Sequence, residues 1–125
     1  MLRTVDFPES NSGIAMARVD RTALQRAGLD RYRFPAELGQ LPFIRSLRLF
    51  GSRARGDHQP RSDIDLAVDA AGAAAGDWER VLEVLDEADT LLTIDCVRLD
   101  TLSENEPLRV AIERDGIELL RRERE

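Results

Sequence analysis

Residues 46–69 read SLRLFGSRARGDHQPRSDIDLAVD. The opening SLRLF, 46–50, alternates in the manner of a short strand. It runs directly into Gly51-Ser52, where glycine permits a tight bend and a helical turn can start. DIDLAVD, 63–69, begins with acids alternating with apolar residues and turns mostly apolar, which predicts a second strand entering a core. LLTIDCVRL, 91–99, is its expected partner, and AAGAAAG between them is a small-residue loop. The pairing predicts an α/β (α+β) fold, a mixed β-sheet flanked by helices in a single domain.

Working outward, DWERVLEVLDEAD at 77–89 predicts a helix with Trp78, Val81, Leu82, Leu85 and Ala88 on its core face. The opposite face carries Asp77, Glu79, Glu83, Asp86, Glu87 and Asp89. That face is a solvated surface or a docking surface for a basic partner. A last helix is expected over about 103–115, with Ser103 and Glu106 at capping-box spacing, a stop at Gly116, and IELL as the closing strand. Upstream, DRTALQRAGL predicts a short helix with Asp20 as N-cap and Gly28 near its end. Pro35 and Pro42 punctuate an expected connector. The first fifteen or so residues, with Pro8 and ESNSG, offer little to pack. The expected division is therefore 1–45, an N-terminal extension with a short helix, partly flexible over 1–15; 46–120, the domain proper; and 121–125, a charged tail.

Composition limits the function. With 125 residues, 42% hydrophobic and 34% charged, the chain suits one soluble domain rather than a disordered one. Nothing approaches a membrane span, and MLRTVDFPESNSG lacks the apolar core of a secretory signal, so a cytoplasmic location is expected. Cys96 is the only cysteine and His58 the only histidine. A zinc site of the usual Cys/His kind is thus not expected, and a metal would be held by oxygen. The net charge is −6, divided unevenly: residues 1–62 hold 11 Arg against 6 acids, and residues 63–125 hold 7 against 18. An acidic chain does not suit broad nucleic-acid binding. A triphosphate needs only a local cationic cluster.

The spacing supplies that cluster and its complement. Asp63 and Asp65, two apart in a strand, leave the same face about 6–7 Å apart at Cα. Their repulsion is relieved by a hard divalent cation such as Mg²⁺. Asp95, in the neighbouring strand, is the candidate third carboxylate, ahead of Asp69 and Asp100. Three such groups suit two ions about 3.5–4 Å apart. Gly51, the Ser52 hydroxyl and amides at a helix start suit phosphate oxygens, with Arg53, Arg55 and Arg61 around the place where triphosphate charge would lie and Ser62 beside it. The Cys96 thiol is expected to be packing.

Gly-Ser, ten residues, then Asp-x-Asp resembles the minimal nucleotidyltransferases of the DNA polymerase β-like superfamily, as do the flanking LFGSRARG and SDIDLAVD. TIDCV resembles the segment with the family's third carboxylate, and ERDGIELL its closing helix and strand. The resemblance covers about 46–120. It implies metal binding and catalysis by Asp63, Asp65 and Asp95, nucleotide phosphates held at Gly51 and Ser52, two Mg²⁺ ions, and ATP as substrate. Small members often accompany a HEPN-domain toxin, a helical RNase, and transfer AMP to its tyrosine. The expected function is therefore protein adenylylation as an antitoxin. The alternatives are a non-catalytic antitoxin binding through the 77–89 face, and a small-molecule transferase of the aminoglycoside type, for which two copies of the chain would form the cleft.

Overall fold

The computed structural model describes residues 2–4 and 17–123. Its elements are β1 (Leu2–Thr4), β2 (Ala17–Asp20), α1 (Arg21–Ala27), α2 (Phe34–Gly39), β3 (Ser46–Phe50), α3 (Ser52–Arg55), β4 (Ile64–Asp69), α4 (Asp77–Asp86), β5 (Ile94–Arg98), a 3₁₀ turn (Leu99–Thr101), α5 (Pro107–Asp115) and β6 (Ile117–Arg122). The strands form one sheet in the order β1-β2-β6-β3-β4-β5. All neighbours are antiparallel except β4 and β5, which run parallel across the crossover that contains α4. The sheet is mixed and flanked by helices, as the pattern of 46–99 predicts.

Strand alternation sorts the side chains onto two faces. Ile64, Leu66 and Val68 of β4 join the main core, which also takes Leu24 of α1, Phe34 and Leu38 of α2, and Val81 of α4. Ala67 goes the other way, into a smaller cluster with Ile112 of α5 and Leu99. Asp65 therefore emerges on the α5 side.

The segment ahead of β3 is woven into the domain rather than appended to it. β2 pairs with β6, placing Ala17 opposite Arg122. The expected connector contains α2, whose proline sits in the first turn, where a missing N–H breaks no intrahelical bond. The Asp89 carboxylate accepts the Arg33 N–H at the start of α2, so a residue far along the chain does the capping. The flexibility expected for 1–15 falls on residues outside the described ones, apart from Leu2–Thr4, which form β1.

The expected tail also begins too early. Arg121 and Arg122 belong to β6, and Arg122 is only 6% exposed, donating from its guanidinium to the carbonyls of Gly39, Leu41 and Ile44. The last helix starts at Pro107, without a side-chain cap. Ser103 precedes a turn in which its carbonyl accepts the Glu106 N–H. On α4, Val81 is buried but Leu82 is 47% exposed, and Val84 packs inward instead.

Asp20 and Gly28 cap α1 as expected: the Asp20 carboxylate accepts the Ala23 N–H at 3.0 Å, and Gly28 adopts φ 74°. Replacing Asp20 with Ala should lower unfolding stability by about 1 kcal/mol. Ser103→Ala should change it by less than about 0.5 kcal/mol, since that hydroxyl caps no helix. Denaturant unfolding of the two variants checks both.

Candidate functional site

The site lies where β3 ends and where β4 and β5 begin. Phe50 ends β3 opposite Asp65, and the parallel register sets Asp65 directly beside Asp95. The Cα positions of Asp65 and Asp95 are thus about one strand spacing apart, close to 4.8 Å. Asp63 precedes β4 by one residue and is exposed, as is Asp95, while Asp65 is half-buried.

Gly51 makes the approach possible. Its φ of 73° and ψ of −154° belong to a region that side chains rarely enter. A Cβ there would collide with the Asp65 Oδ2 and lie 3.1 Å from its Cγ. The glycine therefore serves both the bend and the carboxylate beneath it. Its carbonyl accepts the N–H groups of Ala54 and Arg55 at 3.1 Å each, closing the turn of α3. The first amides of that turn have no intrahelical acceptor. Gly51→Ala should lower stability by about 1–3 kcal/mol and displace Asp65. Thermal unfolding will report the strain, and any activity that depends on Asp65 should fall at least about tenfold.

Electrostatics distinguish this trio from ordinary surface acids. Partial burial raises the Asp65 pKa, the charges of Asp95 and then Asp63 raise it further, and Arg55 opposes them. Among the described residues, none of the three carboxylates accepts a hydrogen bond or forms an ion pair within 4 Å. By contrast, Asp100 pairs with Arg98 and accepts the Ala70 N–H, and Asp69 accepts the Ala71 N–H. The unpartnered trio is the one in which negative charge is concentrated. Its all-oxygen donor set suits a hard divalent cation. Among the described residues no three acidic, His or Cys side chains already stand close enough together to enclose an ion; the carboxylates are adjacent but not drawn in.

The other expected site residues divide. Ser52 stands at the start of α3, half-buried, and Arg55 is exposed beside Asp57, with Nε 3.2 Å from its carboxylate. Arg53 and Ser62 are turned to a structural task. Arg53 is 4% exposed, and its guanidinium donates to the carbonyls of Ala27, Pro60 and Ser62. The Ser62 hydroxyl accepts the Gln59 N–H at 2.8 Å. Together they pin the loop that delivers Asp63 against the end of α1. Arg61 is exposed and lines an open cavity of about 640 Å³ with Arg31, Tyr32 and Leu91. Tyr32 carries no signal in the sequence, since it sits between α1 and α2 in what looks like a plain connector. Burial pushes the Cys96 thiol up to about 12, which removes it as a nucleophile at neutral pH.

The family model described as Polymerase beta, Nucleotidyltransferase matches residues 36–125. The chain belongs to that nucleotidyltransferase family. A search of curated proteins finds no match to it. The match begins within α2, ahead of the 46–120 stretch that carries the motifs, and it takes in the whole of β6. The nucleotidyltransferase keeps its Gly-Ser turn and its Asp-x-Asp strand in contact, through Gly51 and Asp65, and its parallel β5 adds Asp95. Among its described residues no helix is long and apolar enough to cross a membrane.

Proposed function

We propose that this nucleotidyltransferase transfers AMP from ATP to a hydroxyl of a partner protein, using Mg²⁺ held by Asp63, Asp65 and Asp95. The observation that carries the reading is the Asp65–Asp95 register, with Gly51 packed on Asp65, in a member of this family. The acceptor oxygen forms a bond to the α-phosphorus while the bond from that phosphorus to the bridging oxygen breaks, releasing pyrophosphate. The acceptor proton passes to Asp95, which is exposed, or to solvent. Held by these carboxylates, Mg²⁺ would supply charge neutralisation for the departing pyrophosphate and favour ionisation of the acceptor hydroxyl. Gly51 makes the bend while clearing the Asp65 carboxylate, Ser52 and the free amides at the start of α3 donate to a phosphate oxygen, and Arg55 adds positive charge where the triphosphate lies. Arg53 and Ser62 support this arrangement by holding the loop before Asp63.

The resemblance implies a HEPN-type helical toxin as the partner, and in this reading the chain acts as its antitoxin. The test is incubation with α-labelled ATP, Mg²⁺ and the product of the adjacent gene. Label should enter that product with the native chain and be absent with Asp63→Asn/Asp65→Asn. Full labelling by that variant would sink the mechanism. A binding-only antitoxin is the second reading, favoured by the acidic face of α4, where Glu79, Glu83 and Asp86 are exposed. It predicts that the same double variant still neutralises the partner.

A further inference from the structure

β5 is the last strand of the sheet on its side, so one row of its backbone N–H and C=O groups has no strand beside it among the described residues. Such an edge is a template for another strand unless it is covered. α4 does not cover it: that helix leans on α2 and leaves a groove of about 370 Å³ against β5, lined by Leu82, Leu85, Leu92, Ile94 and Cys96. Leu82 is 47% exposed, and Leu91, in the loop leading into β5, is fully exposed. Most of the groove's exposed lining is polar, Asp86 and Thr90 included, with the leucines and Ile94 as apolar footholds within it. Asp86 lines it, and Glu79, Glu83 and Glu87 are exposed on and just beyond α4, with Arg80 the only cation among them.

Charge selects the occupant. A second copy paired through β5 would bring identical acidic helices side by side, and nucleic acid would be repelled outright. We propose that this edge and groove dock the acceptor protein through an extended, basic segment with alternating apolar side chains. The proposal rests on the protein-acceptor reading above and adds where that protein binds. Ile94 and Cys96 point toward the groove while Asp95 lies between them on the other face. A segment added to β5 would place its own backbone one strand spacing, about 4.8 Å, from that of Asp95, with alternate side chains on the Asp95 face. A hydroxyl there lies next to the carboxylate that would receive its proton. One strand thus serves docking with one face and chemistry with the other.

The experiment is amide-resolved NMR of the full chain, titrated with a short peptide alternating Lys and Val and, separately, with one alternating Glu and Val. The Lys peptide should shift the amides of Ile94–Arg98 and Leu82, and binding should weaken about tenfold or more in Glu83→Arg/Glu87→Arg and in Leu82→Asp. These side chains are exposed, so the variants are expected to fold. Equal binding of the Glu peptide, shifts mapping elsewhere, or self-association through the same amides without peptide would each overturn the docking proposal. Mg²⁺-ATP added to the same samples reads Gly51, Ser52 and Asp63 independently. Nucleotide shifts without peptide shifts defeat the docking site alone; peptide shifts without nucleotide shifts or transfer defeat the transferase reading alone.

Discussion

Asp65→Asn should reduce nucleotidyl transfer by on the order of a thousandfold while raising the melting temperature. On the proposed mechanism the first effect follows from loss of a ligand for the cation, whose neutralisation of the leaving group would be worth several kcal/mol in the barrier. The second follows from the Asp65 environment. Burial, and then the charges of Asp95 and Asp63, hold its pKa above the ordinary carboxylate value. The folded state therefore retains the proton to higher pH than the unfolded state does. Ionised Asp65 destabilises the fold at neutral pH, and the penalty disappears as the pH falls from the raised folded value to below the ordinary one. The melting advantage of Asp65→Asn over the native chain should accordingly be largest at neutral pH and shrink on acidification. Mg²⁺ should narrow it as well, by stabilising only the native chain. Thermal scans at several pH values, with and without Mg²⁺, give the answer; a variant less stable than the native chain at pH 7 would mean that the three carboxylates do not strain the fold.

Arg122→Met should be the most damaging single change to stability, lowering it by about 3–5 kcal/mol. The side chain is buried, and it donates to three carbonyls in the segment from the end of α2 to the start of β3. Methionine fills much of the volume but leaves those carbonyls without a donor in a place that water reaches poorly. For a domain of this size the loss corresponds to roughly 10 °C or more in melting temperature. Its neighbour provides the contrast. Arg121 holds Glu118 at 2.6 Å, but both side chains are partly exposed, so Arg121→Met should change stability by less than about 1 kcal/mol. Urea unfolding of the pair isolates burial from charge, since both substitutions remove one arginine from the same strand.

The sequence was most informative where spacing and local chemistry agree. SLRLF and DIDLAVD became β3 and β4 because alternation, a bend glycine and a buried apolar run point to the same structure. Asp95 was legible because a strand following a crossover pairs in parallel with its predecessor, which brings one carboxylate beside another. Asp20 and Gly28 were legible as caps because each does its work within four residues. The sequence was least informative where the partner is distant. ARVD in β2 is too short to show a period and is a strand only because β6 lies beside it. α2 is short and carries a proline, and its start is capped by Asp89 from the far side of α4. Arg53 and Arg122 resemble surface charge in a chain whose 18 basic residues are all arginine. Only the folded backbone shows that carbonyls converge on them, and for Arg53 this changes the reading from a phosphate contact to a brace for the loop before Asp63.

The position of β6 has a consequence for how the chain is made. It is the last of the described strands to be synthesised, yet it lies between β2 and β3 near the middle of the sheet. Until it arrives, the two flanking strands have no partner on the sides that face each other, and Arg122 cannot gather the carbonyls of 39–44. A nascent chain lacking β6 therefore has two sticky edges and an open core, and folding must wait until β6 has been made. Such long-range closure slows folding and prolongs exposure to aggregation. A chain cut short before β6 should accordingly fail to hold the core together and be more open to proteolysis.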